Sequence, residues 1–201
     1  ALVINQQNSV LDNLKRCQSM LQNLVFLSAL RETKTDLYPA PNSPHASHSD
    51  VGILGQFAPW CLYEYGDSDI PSNKHCESEQ NPTLRAQLNA WLGNLFPNIR
   101  CNAPAIEKVP YVRLEFSSLS HTKWKRPVNV GYGLTYAFPV IMACLLAKPD
   151  QILVIDSPEA HLHPQAQSQM GYFLGKMAAS GVQIIVETHS DHILNGVRLA
   201  V

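Results

Sequence analysis

The sequence predicts an α/β fold: a mainly parallel sheet flanked by helices, with a less regular α+β portion before it. Three observations carry that prediction. "ILVI" (residues 152–155) is a continuous apolar run of β-branched type, the pattern of a strand buried on both faces of a parallel sheet, and "VQIIVE" (182–187) reads as a second buried strand. Between them, "HPQAQSQMGYFLGKMAAS" reads as a helix with Pro164 in its first turn and Gly181 just past its end. A further helix, "DHILNGVRLAV", follows the second strand, so the order is that of a right-handed βαβ unit with a helix appended.

The earlier elements are less regular. Residues 9–30 carry Val10, Leu11, Leu14, Met20, Leu21 and Leu24 at mostly helical spacing, and the closing "NLVFLSAL" also fits a buried strand. "YPAPNSPHASHSD" (38–50) and "GDSDIPSNKHCESEQNP" (66–82) are loop-like, with prolines among small polar residues. "VGILGQFAPWCLYEY" between them is apolar and aromatic enough to pack. "PTLRAQLNAWLGNLFP" predicts an amphipathic helix with Leu84, Leu88, Trp91, Leu92 and Leu95 on one face. "YVRLEF" alternates as a half-buried strand does, and the Gly-rich turn "NVGYG" leads into the apolar helix "LTYAFPVIMACLLA".

Composition narrows the function classes. The 201 residues are 45% hydrophobic and 15% charged, which fits a globular chain with a full core. No apolar run approaches the ~20 residues of a membrane span, so no membrane partner is expected. The formal net charge of −1 excludes whole-chain electrostatic binding of nucleic acid but leaves room for a local patch. Five scattered cysteines with no C-x-x-C pair point to reduced thiols and a cytoplasmic setting. Residue 1 is alanine and the sequence stops inside a predicted helix, so a portion of a longer polypeptide is expected.

In a parallel α/β sheet, ligands sit beyond the carboxyl ends of the strands. Asp156 ends the first strand, and Glu187, Thr188 and His189 end the second. Neighbouring strands lie about 5 Å apart, so Asp156, Glu159 and His189 can converge. Nucleotide hydrolysis needs such residues. An acid holds Mg²⁺, which prefers oxygen ligands, a second carboxylate orients water, and a polar or cationic group stabilises the γ-phosphate.

On these residues the chain resembles a known group. "ILVIDSPEAHLHP" is similar to the Walker B and D-loop region of ABC-type ATPases of the RecF/SMC/OLD-like branch, "IIVETHSDHIL" to their switch strand, and "VNVGYGLTYAFPVIMACLLA" to their signature segment. The resemblance is firm over residues 128–201. It implies a P-loop-NTPase-type sheet, ATP and Mg²⁺ as ligands, and dimerisation with a second ATPase head on ATP. It assigns Asp156 to the metal, Glu159 and less directly Ser157 to the attacking water, and His189 to the γ-phosphate. Gly131, Gly133 and Thr135 are assigned to the partner's nucleotide. Residues 1–110 become an insertion or lid portion, and 111–201 the C-terminal lobe. Coupling to DNA repair or antiphage defence, with DNA or a nuclease attached, is the accompanying expectation.

Three departures qualify the match. Ser157 stands at the usual catalytic-glutamate position, Tyr136 replaces the usual glutamine, and no G-x-x-x-x-G-K-[ST] phosphate loop occurs in the 201 residues. The chain is therefore expected to be the C-terminal portion of a head whose N-terminal lobe lies elsewhere in the protein, and to hydrolyse no ATP alone. Two other readings stay open. His161, His163, His189, Asp191 and His192 form a His-rich cluster that suits a metal-dependent hydrolase, against which His163 caps a turn and His161 bonds locally. The degenerate site also suits a pure interaction module. "HTKWKRP" (121–127) is either a solvated hairpin or a small nucleic-acid patch.

Overall fold

The computed structural model describes residues 12–15, 17–18, 21–31, 35–40, 50–118 and 123–200. At its centre is a three-stranded parallel sheet of order β1-β6-β7, formed by β1 (Val25–Leu27), β6 (Ile152–Asp156) and β7 (Gln183–Glu187). "NLVFL" thus supplies a strand. Residues 12–15, 17–18 and 21–22 before it are helical, and Val10, Leu11 and Met20 of the expected helix lie outside the described residues. Two small antiparallel sheets stand apart: β2 (Tyr38–Pro39) with β4 (Tyr111–Val112), and β3 (Ile99–Asn102) with β5 (Glu115–Ser118).

"YVRLEF" is therefore two strands rather than one. Arg113 donates its backbone N–H to Pro104 O at 2.9 Å, which turns the chain between partners on different sheets. The unassigned apolar segment forms helix α1 (Ala58–Tyr65), with Pro59 in its first turn where a missing N–H costs nothing. Helix α2 (Leu84–Leu95) begins at Thr83, whose side chain accepts from Ala86 N, and buries Leu84, Leu88, Trp91, Leu92 and Leu95 as their spacing predicts.

Helix α3 (Tyr132–Leu146) is apolar on every side and accordingly runs through the core, with Phe138, Ile141 and Cys144 almost wholly enclosed. Its carboxyl end is tied by Lys74, which is 2% exposed and donates to the carbonyls of Cys144 (2.8 Å), Leu145 (3.1 Å) and Ala147. Helix α4 (Pro164–Ala179) buries Ala166, Met170, Phe173, Leu174 and Met177, and Trp91 meets Phe173 edge-on at 5.1 Å. Gly181, at φ +99°, closes that helix in the left-handed conformation. Helix α5 (Asp191–Ala200) crosses α4 closely, since Gly171 and Gly196 each face main-chain atoms of the other helix.

The sheet differs from expectation in one respect. Leu27, Leu153 and Ile155 face the core, but only one face is covered among the described residues. Phe26, Val154 and Ile185 lie in a single cross-strand row on the other face, with Phe26 40% and Ile185 57% exposed. The expectation of strands buried on both faces is therefore not met among the described residues, and every residue of β7 is at least partly exposed.

Candidate nucleotide site

The register of the parallel pair sets Asp156 opposite Glu187. The ladder runs one step further, because Ser157 donates its N–H to Glu187 O at 2.9 Å. Ser157 then leaves the strand at φ +47°, a conformation uncommon for a residue with a side chain. That turn aims its hydroxyl back at the strand ends. Ser157 Oγ lies 2.9 Å from Asp156 Oδ1 and 3.1 Å from Glu187 Oε2, and Glu187 Oε1 lies 3.0 Å from His189 Nε2. Asp156, Ser157, Glu187 and His189 thus form one connected corner at the carboxyl end of the sheet. The Ser157 hydroxyl and then the Glu187 carboxyl hold Asp156 below the ordinary carboxylate range. Partial burial opposes them, and the Ala29 N–H and the Arg31 charge add to the lowering.

Glu159 faces differently. Its Oε1 accepts the backbone N–H of His189 at 3.0 Å, and its Oε2 is buried without a hydrogen-bond partner. It braces the "THS" turn against the segment after Asp156. Ser190 completes that turn, accepting from His192 N at 3.1 Å and donating to Gln167 Oε1 at 2.6 Å, which fixes the start of α5.

Sequence reasoning gave no role to Arg31. Only 6% exposed, it donates to Asp156 O at 2.7 Å and Ser157 O at 3.3 Å. Burial lowers its pKa to about 10, against the opposing influence of Tyr136, Asp156 and Glu159. A lone arginine closing the apolar run "VFLSAL" is the signal that could have marked it. Its guanidinium lies 5.5 Å from the Tyr136 ring centre; Tyr136 in turn meets His161 at 4.6 Å and Tyr132 lies 5.3 Å from His161. The acidic corner is thereby joined through ring contacts to the start of α3.

At that start Gly131 is exposed, and a side chain there would meet nothing within 4 Å. Gly133 is buried, and a Cβ would stand 2.6 Å from His161 O, so its missing side chain lets the two segments approach. Thr135 is also buried and donates its hydroxyl to Tyr132 O at 2.9 Å. A groove of about 690 Å³ runs beside these residues, with Phe116, Lys125, His161 and His163 on its walls.

The histidines do not gather. His163 caps α4, its Nδ1 accepting from Gln165 N at 3.4 Å, while His161 is an exposed, ring-stacked residue at φ +61°. Among the described residues no three His, Cys, Asp or Glu side chains are grouped to hold a metal by themselves. The half-exposed Asp156 carboxylate with the Ser157 hydroxyl beside it does fit Mg²⁺, which takes one or two carboxylates and completes its shell with water and phosphate. In the basic segment, Arg126 pairs with Asp36 at 2.6 Å and Arg100 lies 5.7 Å from the Trp124 ring centre; His121 lies outside the described residues.

No helix among the described residues is long and apolar enough to cross a membrane. No curated protein matches the chain. Solved structures similar to it include the Smc head domain with a coiled coil and joint from Pyrococcus yayanosii. That match has 16% identity, covers 54% of this chain and 22% of that one, and has a TM-score of 0.45. The SmcHead bound to the C-winged helix domain of ScpA matches at 15% identity, over 74% of this chain and 42% of that one, with a TM-score of 0.49. The chain therefore spans less than half the length of either. The family model described as "AAA domain, putative AbiEii toxin, Type IV TA system" matches residues 43–195, more than half of the sequence. The chain belongs to this family of AAA-type ATPase domains.

Proposed function

We propose that the chain is the C-terminal part of an ABC-type head that binds and hydrolyses ATP with Mg²⁺. The observation that carries this reading is the corner of Asp156, Ser157, Glu187 and His189 at the carboxyl ends of two adjacent parallel strands. Asp156 would hold Mg²⁺, whose charge would offset that of the nucleotide phosphates. His189 senses the γ-phosphate, and a carboxylate of the same corner orients the attacking water. Ser157 and Glu159 shape the turn around it, and Arg31 fixes the main chain that carries Asp156.

The sheet supports a division of labour with a phosphate-loop lobe lying outside these 201 residues. Among the described residues the outer edge of β7 is unpaired, and the apolar row Phe26–Val154–Ile185 is open. Both lead to Asp156 and Glu187, so a strand, a phosphate loop and an apolar helix docked there would bring the phosphates to the acids. Residues 1–110 contribute β1 to the sheet and otherwise act as the insertion or lid portion; 111–201 form the lobe itself. The start of α3, with Gly131 exposed and Gly133 and Thr135 behind it, turns the positive end of a helix toward the nucleotide of a second head, so ATP holds a homodimer. We further propose a cytoplasmic role in DNA repair or antiphage defence, with DNA or a nuclease as the partner; the toxin–antitoxin description of the family supports the defence setting alone.

The test is equilibrium binding of ATP to the full-length protein with Mg²⁺ and with EDTA. Wild type binds more tightly with Mg²⁺, and Asp156→Ala loses that advantage. An Asp156→Ala protein that keeps the full Mg²⁺ advantage contradicts the assignment.

A further inference from the structure

By the resemblance to ABC-type ATPases, Ser157 stands where a glutamate would orient the attacking water, and a serine hydroxyl is far too weak a base to replace it. Another carboxylate must serve. We propose that Glu187 is the catalytic carboxylate of this site, an inference that rests on the ATPase reading above.

The three acids of the corner are not equivalent. Asp156 ends β6 beside Arg31's guanidinium and is the group suited to the metal. Glu159 has one oxygen bonded to the His189 main chain and the other enclosed in protein, so neither oxygen faces a substrate. Glu187 differs from both. Its side chain is 53% exposed and belongs to the same face of β7 as the open Ile185. It is also held in place: Ser157 Oγ stands 3.1 Å from one carboxylate oxygen and His189 Nε2 3.0 Å from the other. The same strand register that sets it beside Asp156 sets it beside the metal position.

Ser157 and Glu187 thereby divide what one glutamate does elsewhere. The short serine leaves room for the carboxylate arriving from the neighbouring strand and orients it. In the hydrolytic step, water oxygen bonds to the γ-phosphorus as the bond to the bridging oxygen breaks. ADP leaves with that electron pair, and the water proton passes to Glu187. His189, already in contact with that carboxylate, stands where it can stabilise the transferred group.

The experiment compares wild type, Glu187→Gln and Glu159→Gln in the full-length protein, measuring steady-state Mg²⁺–ATP turnover and equilibrium ATP binding. Glutamine keeps the size of the side chain and one acceptor oxygen while removing the base. Glu187→Gln is expected to lower kcat at least about a hundredfold while ATP affinity holds. Glu159→Gln is expected to lose less than about tenfold. Undiminished turnover in Glu187→Gln, or a larger loss in Glu159→Gln, overturns the proposal and leaves the ATPase reading standing. Loss of ATP binding together with turnover in Glu187→Gln also overturns it, because the residue then acts in binding. A wild-type protein with no Mg²⁺-dependent turnover overturns the ATPase reading, and the proposal with it.

Discussion

The crossing of α4 and α5 allows a test in which one chemical change is expected to have opposite effects at two places. Gly196 lies where α5 meets α4. A Cβ built there stands well inside 3.0 Å of Ser168 O and 2.8 Å from Tyr172 N. Both obstacles are main-chain atoms of a helix, so no rotamer change relieves them. The helices must part by roughly 1 Å, and a gap of that size forfeits a quarter to a half of the dispersion attraction between facing atoms. Ile193, 2% exposed at the crossing, is among the residues affected. The cost is about 3 kcal/mol, the upper end for overpacking. Alanine offsets about 1 kcal/mol of it through its helix propensity over glycine. Gly196→Ala should therefore lower the unfolding free energy by about 2 kcal/mol. Gly93, inside α2, is the control: a Cβ there meets nothing within 4 Å. Gly93→Ala should raise stability by about 0.5–1 kcal/mol. Urea unfolding followed by tryptophan fluorescence reads both, since Trp91 packs on Phe173 of α4. Equal shifts of the same sign, or a neutral Gly196→Ala, would refute the close crossing. That crossing matters for the site because α5 starts directly after the "THS" turn that carries His189.

Two further substitutions probe buried cations. Burial holds Lys74 at about 8, down from its ordinary 10.5, so between those values the unfolded chain binds the extra proton and stability contributed by this residue rises with pH. Wild type should gain on Lys74→Met by up to about 3 kcal/mol across that window, measured by urea unfolding at both ends; a constant difference would contradict it. Arg31→Met leaves the Asp156 and Ser157 carbonyls without their donor and should cost about 2 kcal/mol, with unchanged unfolding as the contrary result.

The carboxyl-terminal half was legible because its signals are local. "ILVI" and "VQIIVE" are short and rich in β-branched residues and do form parallel strands, although β7 carries no buried residue, and Pro164 and Gly181 bracket a helix by backbone chemistry alone. Asp156 and His189 were placed by strand ends. What the sequence hid was side-chain direction. Glu159 and Glu187 are both near the corner in sequence terms. Only the left-handed turn at Ser157 and the strand register decide that Glu187 faces the open side while Glu159 turns to the main chain of His189. Thr135 reads as an available hydroxyl but bonds within its own helix. The partners of Arg31 are hidden for a different reason. They lie 125 and 126 residues away, and an arginine at the end of an apolar run does not say which distant carbonyls it binds. "YVRLEF" alternates like one strand because each of its pieces does; the change of partner at Arg113 is a tertiary event.

On the proposed reading, the corner built on Asp156 performs nucleotide hydrolysis. Steady-state ATP turnover of the full-length protein, wild type against Asp156→Ala at saturating ATP and Mg²⁺, tests it most directly. Wild type should turn over ATP in a Mg²⁺-dependent way, and Asp156→Ala should lose at least about a hundredfold in kcat. A variant that hydrolyses ATP as fast as wild type would show that the chemistry takes place elsewhere.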